Sequence, residues 1–128
     1  MPDPHPFRRA AETKDLDLLR ETLAEDVVLH SPILFKGFEG REMAMVVLTN
    51  VSEVFEDFRY LDEVHGDGTV VLRFTAKVDG KFEIEGIDYL TLDAEGRVTD
   101  LTVFLRPQKA VQAFNEQMVA RLGAAPPA

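Results

Sequence analysis

Asp88 is the residue of this chain best placed to do chemistry. It sits in Gly86-Ile87-Asp88-Tyr89-Leu90-Thr91-Leu92, a stretch whose alternation predicts a strand with Asp88, Leu90 and Leu92 on one face. A carboxylate in register with leucines on an apolar face loses its hydration, and is costly unless it is bonded, protonated or used. Desolvation raises its pKa, and a carboxyl so tuned serves as a general acid or base. The alternative role is structural, with the carboxylate held by a buried hydroxyl or backbone amide.

Few other residues could assist it. Histidine is the side chain that titrates near neutrality, which makes His30 the candidate base. Strict alternation along Val27-Val28-Leu29-His30-Ser31 turns Ser31 inward with Val27 and Leu29, and His30 outward. Only a distortion at Pro32 would bring His30 in. Ser31 either lends a polar contact to a pocket or bonds backbone beside Pro32. Tyr89 neighbours Asp88 and so points to the opposite face, whereas Tyr60 is a packing residue that could reach a pocket mouth. His5, His30 and His65 are too scattered for a ligand set, so no metal is expected. The chain has no cysteine, which excludes thiol catalysis, disulfides and cysteine-held zinc. No cofactor is implied.

Composition narrows the partners. A formal charge of −9 argues against nucleic acid and against an anionic membrane surface, since both need basic patches. A 45% hydrophobic fraction over 128 residues suits one globular domain, residues 1–128. The polar start, Met1-Pro2-Asp3-Pro4-His5-Pro6, has no apolar signal region, and no run is long enough to span a membrane, so a cytoplasmic location is expected. Asn50-Val51-Ser52 fits the glycosylation pattern by chance.

The elements that must position Asp88 follow from periodicity. Helices are predicted over 7–13, started by Pro6, and over 15–23, capped by Asp15. A short strand over 27–31 ends at Pro32. A longer helix over 41–55 carries Met43, Val47, Val51, Val54 and Phe55 on its apolar stripe, widened by Val46 and Leu48. The period then changes to two. Strands are predicted over 58–64, with Phe58, Tyr60 and Val64 in alternation, and over 69–78, with Leu72, Phe74, Ala76 and Val78 inward. A third covers 81–92, and a fourth covers 97–105, with Leu101, Val103 and Leu105 inward. Asp79-Gly80 signals a type I′ hairpin, and Gly86 a bulge or bend. A last helix runs over about 107–122, followed by a frayed tail over 123–128. Helices followed by an antiparallel meander make an α+β plan, in which a bent antiparallel sheet wraps the N-terminal helices as a cone-shaped barrel. Leu72, Phe74, Leu90, Leu101 and Val103, with Val47 and Phe55 from the long helix, are the candidate pocket lining. Phe104 falls on the outer face, where a partner would cover it.

Three segments carry a family resemblance: Asp15-Leu16-Asp17 through Leu23-Ala24-Glu25-Asp26-Val27-Val28; Ser31-Pro32 followed by Phe38-Glu39-Gly40-Arg41-Glu42; and Gly86-Ile87-Asp88-Tyr89-Leu90 through Gly96-Arg97-Val98 to Leu105. Their order and spacing resemble the nuclear-transport-factor-2-like (cystatin-like) superfamily and its SnoaL-like and ketosteroid-isomerase-like branches, over most of residues 7–106. The resemblance implies a cone-shaped α+β barrel, a homodimer through the outer sheet face, and a deep apolar pocket for a small hydrophobic molecule. Asp88 matches the pocket aspartic acid that donates a hydrogen bond to an oxyanion in ketosteroid isomerase. Ser31 stands where that enzyme has its general-base aspartate, and Phe7 where it has its tyrosine. The Arg-x-Asp pair of limonene epoxide hydrolase is absent, since Arg73-Phe74-Thr75 lacks the aspartate. SnoaL-type cyclases use an acid–base aspartate in the pocket, a part Asp88 could fill. Cofactor-free proton transfer of the isomerase, cyclase or hydratase type is therefore expected, with a non-catalytic binding module or a structural dimer as alternatives.

Overall fold

The computed structural model describes residues 3–122; the tail expected to fray lies outside the described residues. Two short helices, α1 (Pro6–Thr13) and α2 (Leu16–Thr22), run straight into β1 (Leu23–His30). Pro6 opens α1, and the His5 side chain accepts from the Phe7 N–H. Asp15 caps α2 by accepting from the Leu18 N–H at 3.1 Å. A two-residue strand, β2 (Phe38–Glu39), precedes α3 (Arg41–Val54). Four long strands follow, β3 (Glu56–Gly66), β4 (Thr69–Val78), β5 (Phe82–Leu92) and β6 (Val98–Arg106), and the chain closes with α4 (Gln108–Leu122).

All six strands form one sheet in the order β2-β1-β6-β5-β4-β3. β3 to β6 make the expected antiparallel meander. β1, however, runs parallel to β6, so the sheet is mixed rather than wholly antiparallel. The alternation of β1 says which face is apolar and nothing about direction, and its partner lies about seventy residues away in sequence. β1 also begins earlier than expected, because an irregularity between Leu23 and Val28 carries Glu25 and Asp26 out to solvent.

The inner sheet face holds the core. Leu72, Leu90 and Leu101 sit in adjacent strands and are almost wholly buried. The Asp79-Gly80 turn has both residues at positive φ, as a type I′ hairpin demands. α3 packs on β1 and α4. It turns Ala44, Met45, Val47 and Val54 inward, while Met43 and Val46, expected on its apolar stripe, are 42% and 50% exposed. Met43 and Val46, three residues apart, share the helix face turned away from the core that Ala44 and Val47 enter.

Two local features differ from the plain alternation. A register shift between Tyr60 and Asp62 reverses the phase of β3. Tyr60 therefore faces in and Val64, expected beside it, faces out, with Glu63 taking the inward place. There Glu63 accepts from the His5 N–H and from Arg8, which ties the N-terminus to the sheet. Gly86 is not a bulge, since the pairing of β5 with both neighbours runs through it unbroken. Its missing side chain makes room instead: a Cβ there would collide with the Phe74 ring and meet the Phe104 carbonyl oxygen at 2.6 Å.

Candidate active site

The space vacated at Gly86 sets up the site. On the inner face, Tyr60 of β3 pairs with Phe74 of β4, Phe74 pairs with Gly86 of β5, and Asp88 lies two residues further along β5. The Phe74 ring leans over Gly86, and the Tyr60 hydroxyl reaches past it to donate to Asp88 Oδ2 at 2.7 Å. The Tyr60 ring is held edge-on by Phe58 and Phe74, at centroid distances of 4.9 and 6.0 Å. Phe55 stacks between this cluster and Phe114 of α4. The hydroxyl therefore has little freedom to point elsewhere.

Asp88 and Tyr60 line a cavity of about 330 Å³ enclosed by the inner sheet face, α1 to α3 and α4. Among its lining residues only Lys14, Ser31, Ser52, Tyr60, Asp88 and Asn115 carry polar side-chain groups. Two of these are tied to backbone. Ser31 Oγ accepts from the Ile33 and Leu34 N–H groups, and Ser52 Oγ donates to the Thr49 carbonyl. Asp88 Oδ1 makes no hydrogen bond to the protein among the described residues, while Oδ2 holds the tyrosine.

Electrostatics follows from this burial. Loss of water pushes the Asp88 carboxyl up to about 7, and the tyrosine hydrogen bond only partly offsets the rise by favouring the anion. Burial, reinforced by the nearby Asp88 charge, holds the Tyr60 hydroxyl well above its ordinary range, so it remains a donor. Near neutrality the carboxyl thus populates both forms. As the acid it can present a proton to the cavity; as the anion it can take one back.

The candidate residues fall into three places. Asp88, Ser31, Val47, Phe55, Phe74 and Val103 line the cavity together. Leu72, Leu90 and Leu101 lie in the solid core beside it and do not reach its surface. His30 lies on the other side of β1, where its Nε2 meets Asp100 Oδ2 at 2.9 Å and its ring lies close to Gly37. It is about one-third exposed and is not part of the lining. Pro32 ends the strand after His30 without reversing its alternation. Sequence reasoning missed the Tyr60 partnership. Its signal was the shared inward phase of Tyr60, Phe74 and Asp88, legible only once the strand registers are known.

A SnoaL-like domain is matched over residues 6–101. The chain belongs to the SnoaL-like domain family. No curated protein matches this SnoaL-like chain in sequence. Among solved structures, it is 37% identical to a steroid delta-isomerase from Pseudomonas aeruginosa, with a TM-score of 0.85 over 91% of this chain and 85% of that one. It is 33% identical to an uncharacterized protein with a cystatin-like fold from Silicibacter pomeroyi DSS-3, with a TM-score of 0.86 over 91% and 82%. A candidate SnoaL-like polyketide cyclase from Shewanella denitrificans OS-217 shares the fold at 15% identity, with a TM-score of 0.65 over 90% and 93%. The nuclear-transport-factor-2-like, or cystatin-like, α+β fold with an added C-terminal helix is thereby assigned. Among the described residues no helix is long and apolar enough to cross a membrane.

Proposed function

We propose that this protein is a cofactor-free proton-transfer enzyme of the isomerase, cyclase or hydratase type acting on a small hydrophobic molecule. The observation that carries the reading is a single carboxyl, raised to about 7, facing a mostly apolar cavity and braced by a tyrosine hydroxyl. In its neutral form Asp88 donates a hydrogen bond or its proton to a carbonyl or hydroxyl oxygen. In its ionised form it removes a proton from a carbon beside a carbonyl. With one such group in the cavity, the proton taken at one atom is returned by the same carboxyl at another, which is the demand of an isomerisation. His30, tied to Asp100 outside the cavity, has no part in this step. Tyr60 is a positioning residue that fixes the carboxyl and shares its charge.

A steroid delta-isomerase lies among the similar structures, which favours a fused-ring or comparably bulky ketone. The protein acts as one domain, residues 1–128, in the cytoplasm, and pairs as a homodimer through the outer sheet face around Phe104, which is 55% exposed in the single chain. A second reading, a module that binds a hydrophobic ligand without turnover, is favoured by one observation: among the described residues Asp88 is the one carboxyl of the lining, and Ser31 and Ser52 are engaged with backbone.

The test is conversion of a β,γ-unsaturated ketosteroid to its conjugated isomer, followed by ultraviolet absorbance. Asp88→Asn should lower kcat by about a hundredfold or more while the steroid still binds. Binding by the wild type without turnover would establish the second reading. Full activity in the asparagine variant would leave Asp88 a structural residue.

A further inference from the structure

The mouth of the cavity carries one unusual group. Leu16 and Ile33 line it while remaining 41% and 38% exposed, which marks the α1–α2 turn and the segment after β1 as its rim. Lys14 lies in that same turn, exposed, and among the described residues is the one cationic residue of the lining. It forms no ion pair among the described residues, although the chain has 23 acidic residues. Two arginines of the neighbouring helices are, by contrast, paired: Arg20 with Glu42, and Arg121 with Glu53 and Asn50. Lys14 is also fixed in place. It is the left-handed C-cap of α1, with φ of 56°, and its N–H is bonded to the Ala10 and Ala11 carbonyls. A left-handed position favours glycine, and here it holds a long cationic side chain at the entrance to an apolar cavity.

Resting on the reading of this cavity as a ligand site, we infer that its ligand is an apolar molecule bearing an anionic group, which Lys14 receives at the mouth while the apolar body extends toward Asp88 and Tyr60. Orientation follows from charge. An anion at the inner end would face the Asp88 carboxyl in an environment without countercharge, whereas at the rim it meets an unpaired ammonium and keeps part of its hydration. In a protein of net charge −9, a free cation beside the entrance also selects which anions approach it. The ligand is thus amphipathic, with a carbonyl or hydroxyl at one end and a carboxylate, sulfonate or phosphate at the other.

The test uses two fluorescent arylamines that share one skeleton, anionic 1-anilinonaphthalene-8-sulfonate and neutral N-phenyl-1-naphthylamine. Lys14→Met should weaken the sulfonate by roughly two- to fivefold, the range of a partly exposed ion pair. It should leave the neutral probe unchanged, and Lys14→Arg should restore the sulfonate. Added salt should weaken the sulfonate in the wild type and not in Lys14→Met. Equal loss of both probes, or no loss of either, overturns the role of Lys14 while leaving the cavity a binding site. If neither probe binds the wild type, or both bind undiminished when Val51→Phe narrows the cavity, the cavity reading itself fails and the inference with it.

Discussion

Replacing Asp88 with asparagine should make this protein more stable, and the gain should grow with pH. The carboxyl titrates at about 7 in the folded chain against an ordinary value of 3.8. The folded state therefore holds a proton that the unfolded state has released across that window. Wild-type stability from this group is fully present below about pH 4 and is lost as pH rises through about 7. A shift of about three units corresponds to about 4 kcal/mol at most, reached above neutrality. Asparagine keeps the shape and still accepts from Tyr60, but this bond is weaker than one to a carboxylate and the new amide enters an apolar cavity. The net gain near pH 8.5 is therefore about 1–3 kcal/mol, falling to zero or below near pH 4.5. Urea denaturation of both proteins at several pH values measures the difference. The comparison must be made by difference, because Glu63, Glu85 and Asp93 are held low by their partners and tilt both curves the opposite way. A difference that stays flat with pH would refute the reasoning, since it would mean that Asp88 titrates as an ordinary carboxylate.

Gly86→Ala should destabilise the fold by about 1–3 kcal/mol, read as a lower denaturation midpoint, because the added Cβ meets a backbone oxygen and the Phe74 ring below 3 Å. It should also disturb the carboxyl, since Phe74 and Tyr60 pack edge-on. Phe104→Glu should convert a dimer into a monomer in light scattering at micromolar concentration, with little change in the stability of the single chain, because Phe104 is an exposed residue of the outer face. A wild type that is already monomeric would remove the outer sheet face as an assembly surface.

The sequence was most informative where one strand or helix could be read by itself. Alternation placed Asp88 inward and Tyr89 outward, Asp15 was legible as a cap, and Asp79-Gly80 as a primed turn, because each depends on a few neighbouring residues. What could not be read depended on pairing. The direction of β1 beside β6 is fixed by an encounter across most of the chain. The phase of β3 is set by a bulge that no glycine or proline marks, and so Val64 and Glu63 exchanged faces. Gly86 stands out in the sequence, but the room it makes does not, since the ring that fills it comes from another strand. The same limit hid the site. Tyr60 and Asp88 lie on strands separated by β4, and their bond exists only because the register brings Phe74 over Gly86 between them. α4, which supplies Phe114, Asn115 and Met118 to the cavity wall, lies beyond the residues matched to the family.

Direct titration of the Asp88 side chain tests the central claim most closely. Carbon-13 NMR of aspartate-labelled protein, with Asp88→Asn identifying the resonance, reports its midpoint. The account predicts a midpoint of about 7 in the wild type. It predicts a higher one in Tyr60→Phe, because the hydroxyl that favours the anion is gone. A midpoint near 3.8, or one that does not move when the tyrosine hydroxyl is removed, would contradict it.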